Sequence, residues 1–358
     1  MKSYNVGILG ATGMVGQRFV SLLEGHPWFN VKILAASSRS AGKTYGELMY
    51  GRWAMDKAIP ADIKNIVVLD AVAEAEKIAA EVDFVFCATA LSKAETKELE
   101  EKYAKLECPV ISNNSANRNM DDVPMIIPEI NHDHSAVIET QRKRLGTKRG
   151  FIAVKSNCSI QSYVPALHPL WDLGVEDVLV CTYQAISGAG KTFDTWPEMI
   201  DNIIPLIGGE EEKSEQEPLK IWGSIVDGKI VNAESPCITT QCIRVPVSNG
   251  HFAAVFARFS KKISIDEIKE RWNSFSGEAQ KLNLPSAPKQ FLHYFEEADR
   301  PQAKLDRDLE NAMAVSIGRL RPDSQYDIKF VSLSHNTVRG AAGGGILMAE
   351  LLCAQNYI

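Results

Sequence analysis

An apolar β-type run, Tyr4-Asn5-Val6-Gly7-Ile8-Leu9, leads straight into Gly10-Ala11-Thr12-Gly13-Met14-Val15-Gly16, and an amphipathic stretch from Gln17 to Glu24 follows. A strand that turns through glycines into a helix lets the backbone approach a diphosphate, with the helix start facing the anion. Gly10, Thr12, Gly13, Met14 and Val15 are therefore candidate cofactor contacts. The spacing is Gly-x-x-Gly-x-x-Gly rather than the commoner Gly-x-Gly-x-x-Gly. Glycine turns close many strand–helix units, so the triplet draws its force from this context. Met1-Lys2-Ser3-Tyr4 enters the strand pattern at once, which leaves no room for a signal peptide.

The second strand is expected over Val31–Ala36. An NAD site would place Asp or Glu near its end for the ribose 2′-hydroxyl. Here Ser37-Ser38-Arg39-Ser40 follows. Hydroxyls and a guanidinium suit a 2′-phosphate through charge-assisted hydrogen bonds, so this loop favours NADP over a merely solvated turn. Further parallel strands are expected at Ile66–Asp70, Asp83–Ala90, Pro109–Ser112 and Phe151–Val154. Ser92–Glu107 reads as a helix with a capping box at Ser92 and Glu95, a Glu98–Lys102 pair and a solvated charged face. Small residues at 88–90 suit a strand end against a cofactor. Arg118, in the polar loop after Ser112, reads as an anion ligand or as a lone surface arginine. Residues 131–148 read as a charged helical excursion.

With 358 residues the chain has room for two domains. A net charge of −6 argues against a nucleic-acid or anionic-membrane partner, and no apolar run nears the ~20 residues a bilayer needs. Seven cysteines without a Cys-x-x-Cys pair point to free thiols and a cytoplasmic setting. No histidine pattern suggests a metal, and the pair His132 and His134 reads as a polar loop.

Lys155-Ser156-Asn157-Cys158-Ser159-Ile160-Gln161 stands between the strand at Phe151–Val154 and a helical-looking run to Trp171 that Pro165 should kink or stop. Amides at a helix start would lower the Cys158 pKa and favour the thiolate, and Asn157 and Ser159 could donate to an oxyanion. A buried, inert thiol is the competing reading. Val175–Ile186 is strand-like and carries Gln184. The following Gly188-Ala189-Gly190-Lys191-Thr192 fails as a phosphate loop, because its first glycine would fall at Ala185. The acidic stretch from Gly208 to Lys220 should be mostly solvated, with Glu210 and Lys213 as exceptions on one helical face. Alternation over Ile238–Val247, Phe252–Phe259, Ala312–Leu320 and Ile328–Leu333 predicts a mixed or antiparallel sheet with one face covered by helices. His251 follows a tight turn after Arg244-Val245-Pro246-Val247; a lone histidine is usually structural. Glycines at 340 and 343–345 precede a helix over Ile346–Gln355 that could rejoin the first domain.

Taken together, the glycine loop at 10–16, Ser156-Asn-Cys-Ser159, Thr182-Tyr-Gln-Ala-Ile-Ser-Gly-Ala-Gly190, Glu210–Lys213, Arg244–His251 and Asn336-Thr-Val-Arg-Gly-Ala-Ala-Gly resemble, in order and along the whole chain, the aspartate-semialdehyde dehydrogenase family, in its archaeal and fungal branch. The resemblance implies an α/β subunit: a Rossmann-like NADP-binding domain at 1–154, completed by 336–358, and an α+β catalytic and dimerisation domain with a mixed sheet at 155–335. It implies Cys158 as acyl nucleophile, His251 as acid/base and Gln184 orienting the substrate. Arg244 would hold the α-carboxylate, Glu210 the α-amino group, and Lys213 and Arg118 the phosphate. The cofactor set then comprises Gly10, Thr12, Gly13, Met14, Val15, Ser37, Ser38, Arg39, Ser40, Thr89, Asn114, Ser187, Gly188 and Asn336. The expected reaction is NADPH-dependent reduction of aspartyl phosphate through a Cys158 thioester, in a homodimer or homotetramer. A related coenzyme A thioester reductase, such as one acting on malonyl-CoA, is the alternative enzyme, and a non-catalytic NADP-binding sensor a third reading. Glu210, suited to an amino group, weighs against the former; Arg244, His251 and Gln184 would be idle in the latter.

Overall fold

Strand β1 (Tyr4–Leu9) lies inside a parallel sheet with β2 (Phe29–Ala36), β3 (Leu69–Asp70), β4 (Phe84–Cys87), β5 (Val110–Ser112) and β6 (Ile152–Val154), in the order β3-β2-β1-β4-β5-β6. The computed structural model describes residues 3–262 and 264–358. Strands are added outward in one direction from β1 to β3 and in the other from β4 to β6, and the crevice beyond the carboxyl ends of β1 and β4, where that order switches, is where such sheets bind ligands. The central stretches of the strands are apolar because helices cover both faces: Val6, Ile8 and Leu9 and all four residues of β4 are buried. Strand β3 is shorter than Ile66–Asp70, because Val67 instead bridges to Thr44.

A second sheet takes up β7 (Val175–Gln184), β10 (Cys237–Arg244), β11 (His251–Phe259), β12 (Leu292–Phe295), β13 (Val315–Pro322) and β14 (Ile328–Ser334), ordered β10-β7-β11-β14-β13-β12. A small hairpin, β8 (Ser224–Val226) and β9 (Lys229–Val231), stands apart. The outer pairs β10–β7 and β12–β13 are parallel and the inner ones antiparallel, so the sheet is mixed, as the alternation predicts. Along β7, Val178, Val180, Thr182 and Gln184 point into the molecule while Leu179 and Tyr183 are exposed. Inward residues pack with Trp272 of the helix Ile265–Ser274 and with Phe330.

Three expectations need correction. The run after Cys158 is a broken spiral: 3₁₀ turns at Ile160–Ser162 and His168–Leu173 flank a single α-turn, Val164–Leu167, with Pro165 at its start, where a missing N–H costs nothing. The helix Lys93–Lys105 has its capping box, but its charged face is not all solvated. Glu100 is buried, accepting from Ser112, Asn114 and Asn117, and Lys102 reaches Glu76 rather than Glu98. The acidic stretch forms the helix Glu210–Ile221, in which Glu217 and Lys220 are also buried, since that face packs on the nucleophile loop.

The C-terminal helix begins earlier than expected, at Gly343–Ala354, after a π-helical turn at Val338–Ala342. Its Ile346, Leu347, Leu351 and Leu352 share one core with Val6, Ile8, Phe19 and Phe86 of the first sheet's layer. The helix is buried nearly all round, as a core element must be.

Candidate active site

The glycine loop is built for close approach. Gly10 has φ +84°, and a Cβ there would collide with the Ala88 carbonyl at the end of β4. A Cβ on Gly16 would strike Gly10 itself, so the helix Met14–Leu22 can start only on a bare backbone. Above this loop lies a cavity of about 600 Å³. It is lined by Gly10, Thr12, Gly13, Ser37, Arg39, Ser40 and Thr89 from the predicted set, and by Lys43 and Arg52, which sequence reasoning missed. Met14, Val15 and Ser38 do not line it. Three cations in the same lining as the Ser37 and Ser40 hydroxyls fit a phosphorylated ribose, and the glycine floor fits a diphosphate.

Cys158 and His251 do not line that cavity; a relay of contacts connects the two regions. Asn114 Nδ2 donates to Thr89 Oγ1 at 3.3 Å. Next to it, Asn113 has both amide atoms buried without a partner among the described residues, a pair of orphans that suits the amide of a nicotinamide. Its backbone oxygen accepts from Arg118, and Arg118 pairs with Glu217 at 2.8 Å. Glu217 in turn accepts the Asn157 N–H.

At the centre, Cys158 Sγ stands 3.4 Å from His251 Nε2. The ring's other nitrogen accepts the Ala185 N–H at 3.0 Å, so the neutral imidazole carries its proton on Nε2, toward the sulfur. Full burial, reinforced by Arg244 and His335, holds the His251 pKa well below its ordinary value. The ring is therefore held neutral, whereas an ordinary imidazole would titrate near neutrality. The expectation of a lowered thiol pKa is corrected. Burial, then Glu210, push Cys158 up to about 11, against Lys155, Arg118 and Arg244. No full helix begins at Cys158 to oppose this.

Asn157 and Ser159 are not free to serve an oxyanion through their side chains. Asn157 Nδ2 donates to both Glu210 oxygens at 3.0 Å, and its Oδ1 accepts from Ser159 N and Oγ. Buried polar groups that find partners this way become framework. Glu210 also receives Lys213 at 2.8 Å and Gln184 Nε2 at 3.2 Å. Burial alone would raise its carboxyl pKa, but Lys213, Asn157 and Gln184 outweigh it and keep the group ionised. Glu211 instead faces β10, accepting from Gln241 and Cys242, and Glu212 lies outside both sets of contacts. The register thus points Glu210 at the nucleophile loop. Arg244 lies buried at the end of β10 and donates to the Ala185 carbonyl at 2.7 Å. Gly188 is packed so tightly that a Cβ would come within 2.9 Å of Arg244 and 3.1 Å of His251. Ser187, Gly188 and Asn336 therefore belong to the His251 side: Asn336 donates to Ser187 Oγ and accepts the Gly250 N–H, bracing the turn before the histidine.

Two family descriptions match the chain: "Semialdehyde dehydrogenase, NAD binding domain" over residues 5–138 and "Semialdehyde dehydrogenase, dimerisation domain" over residues 167–339. The aspartate-semialdehyde dehydrogenase of Archaeoglobus fulgidus is 42% identical over 355 residues, covering 99% of each chain. That of Schizosaccharomyces pombe is 43% identical over 353 residues, covering 97% of each. The Candida albicans enzyme, solved with NADP, superposes with a TM-score of 0.90 at 38% identity, covering 99% of this chain and 100% of that one.

Proposed function

The chain belongs to the aspartate-semialdehyde dehydrogenase family, and from that premise we propose that it reduces L-4-aspartyl phosphate to L-aspartate 4-semialdehyde with NADPH, through a thioester on Cys158. The observation that carries this reading is the 3.4 Å contact of Cys158 Sγ with His251 Nε2, flanked by Glu210 and Arg244. The sulfur attacks the acyl carbon, the bond from that carbon to the phosphate oxygen breaks, and phosphate leaves. Splitting acyl transfer from reduction replaces one hard step by two easier ones. NADPH, when bound over the glycine loop, supplies the hydride that reduces the acyl carbon. His251 donates a hydrogen bond from its Nε2 proton to the attacking thiolate, and again to the thiolate released as the aldehyde departs. Arg244 grips the α-carboxylate in a two-pronged pair, Glu210 receives the α-amino group and Gln184 aligns the acyl carbon. Arg118, whose Nε has no partner among the described residues, and Lys213 take the phosphate. Arg39, Lys43 and Arg52 hold the 2′-phosphate that separates NADP from NAD.

The product is a precursor of the aspartate-derived amino acids lysine, methionine, threonine and isoleucine. We assign residues 1–154 with 336–358 to the nucleotide domain and 155–335 to catalysis and dimerisation. The outward face of the second sheet, with exposed Leu179 and Tyr183, is the dimer surface, and sedimentation velocity reads whether Tyr183→Lys dissociates it. Seven cysteines outside any disulfide suit a reducing cytoplasm. Among the described residues no helix is long and apolar enough to cross a membrane. The direct test is NADP reduction in the presence of aspartate semialdehyde and phosphate. Wild type should turn over and Cys158→Ala should not; a silent wild type, or an active alanine variant, rejects the assignment.

A further inference from the structure

The cations around the nucleophile are matched one by one, with a single remainder. Arg118 pairs with Glu217, Lys213 with Glu210, and Arg339 with Glu129. Buried Lys220 has no carboxylate, but its three protons reach three carbonyl oxygens, those of Arg118, Met120 and Val123. Arg244 donates to the Ala185 carbonyl and faces the substrate position assigned above. Lys155 differs from all of these. It is 2% exposed, and among the described residues its Nζ donates only to the Ser156 carbonyl, at 3.1 Å. An ammonium has three protons to place, and among the described residues no carboxylate pairs with this one.

The C-terminal glycines fix where that charge lies. A Cβ on Gly344 would come within 2.7 Å of Lys155 Cε, and one on Gly340 within 2.9 Å of Cys158 Cβ. Gly340 lies in the π-helical turn and Gly344 at the start of the helix that continues it, so the two contacts fall on successive turns of one segment. The lysine stem and the nucleophile therefore lie side by side on one bare strip of main chain. A side chain on either glycine would displace one of them.

We propose that Lys155 is the counter-ion of the Cys158 thiolate, a positioning residue that acts through the charge of the nucleophile. The inference rests on Cys158 being the nucleophile, as argued above. A thiolate is an extra anion in a buried site whose carboxylates already have partners, and a spare ammonium one helical turn away offsets it. The other groups facing the sulfur are Glu210 from the helix Glu210–Ile221, which opposes the thiolate, and Arg118, Arg244 and neutral His251. Those facing Lys155 are Cys158, Arg118, Arg339 and Glu217. Burial pushes the Lys155 ammonium down to about 7, and the sulfur is the first group that raises it again. The two sites thus titrate as a pair.

The test is the rate of iodoacetamide alkylation of Cys158 against pH in the full-length protein without substrate, resolved from the other six cysteines by peptide mass. In Lys155→Met the midpoint should rise by about one unit and the rate at pH ~6.5, where the wild-type lysine still carries its charge, should fall about tenfold, since thiolate fraction drops tenfold per unit. Lys155→Arg, which keeps the charge, should stay within a few-fold of wild type. Circular dichroism monitors folding. If the methionine variant does not fold, Lys155→Gln, which keeps a donor for Ser156 without the charge, carries the same expectation. A folded neutral variant with the wild-type profile, or an arginine variant as slow as the neutral one, overturns the proposal. Turnover by Cys158→Ser would instead overturn the nucleophile assignment, and the alkylation profile reads the lysine independently of it.

Discussion

Two neighbouring carboxylates, Glu210 and Glu211, divide recognition from architecture. Glu210 is gathered by Asn157, Gln184 and Lys213, whereas Glu211 ties down β10. A hydrogen bond to a charged group contributes about 1.5–3 kcal/mol. Glu210→Gln should therefore lower kcat/KM for aspartate semialdehyde about ten- to a hundredfold, chiefly through KM. Glu211→Gln should leave kcat/KM within a few-fold and lower the melting temperature. Steady-state kinetics and thermal melts of both variants decide this, and equal kinetic losses would reject the division. Sequence reading singled out Cys158 from a short motif whose chemistry is local, and reached His251 and the role of Glu210 only through the resemblance. It missed Glu217, Lys155 and Asn113, whose importance comes from partners up to 99 positions away, as for Arg118 and Glu217, or from a lack of partners. It also mistook Asn157 and Ser159 for free donors, since a side chain's partner is not written beside it.

Elements were legible where the pattern is local and long. Strand β1, the glycine loop and the helix after it follow from spacing alone, and so does the alternation along β7 and β11. The short β5 and β6 were legible because each is a buried apolar run, but β12, with four residues, and the hairpin strands, with three each, were not, since their existence depends on the neighbour they pair with. The helix Glu210–Ile221 was concealed by its charges, because burial of Glu217 and Lys220 becomes tolerable only against the loops that receive them. At the end of β2 the loop carries a sharper expectation. Arg39 lines the cavity with Lys43 and Arg52, and replacing it by aspartate puts a carboxylate where a 2′-phosphate would sit. Arg39→Asp should weaken NADPH at least about tenfold while changing NADH by a few-fold at most, given ~1.5–3 kcal/mol per charged hydrogen bond. Titrations of the two cofactors by fluorescence measure this, and a parallel loss of both would sink the assignment.

For the molecule as a whole, buried imidazoles set an acid limit. Burial pushes His168 down to about 4, and burial with Arg18 and Arg307 pushes His335 down to about 3. Unfolded imidazoles protonate near ~6.5, so in this window the unfolded chain binds protons that the folded one refuses. Stability from these rings is complete above pH ~6.5 and declines as pH falls toward the folded values. By pH 5 the loss should reach about 2 kcal/mol per ring. Urea midpoints at pH 7 and pH 5 check it, and replacing His168 by a neutral isostere such as glutamine should remove its share of the slope. At this scale the two-sheet plan was legible, while only the resemblance placed the terminal segment with residues 1–154; in the structure the helix Gly343–Ala354 shares a core with the first sheet. That shared core imposes an order on assembly. During synthesis, the first sheet waits for a segment translated more than three hundred residues after β1, and the nucleophile has no floor until Gly340 arrives. A nascent chain halted before that point cannot assemble a working thiol, so chemistry is withheld from unfinished copies.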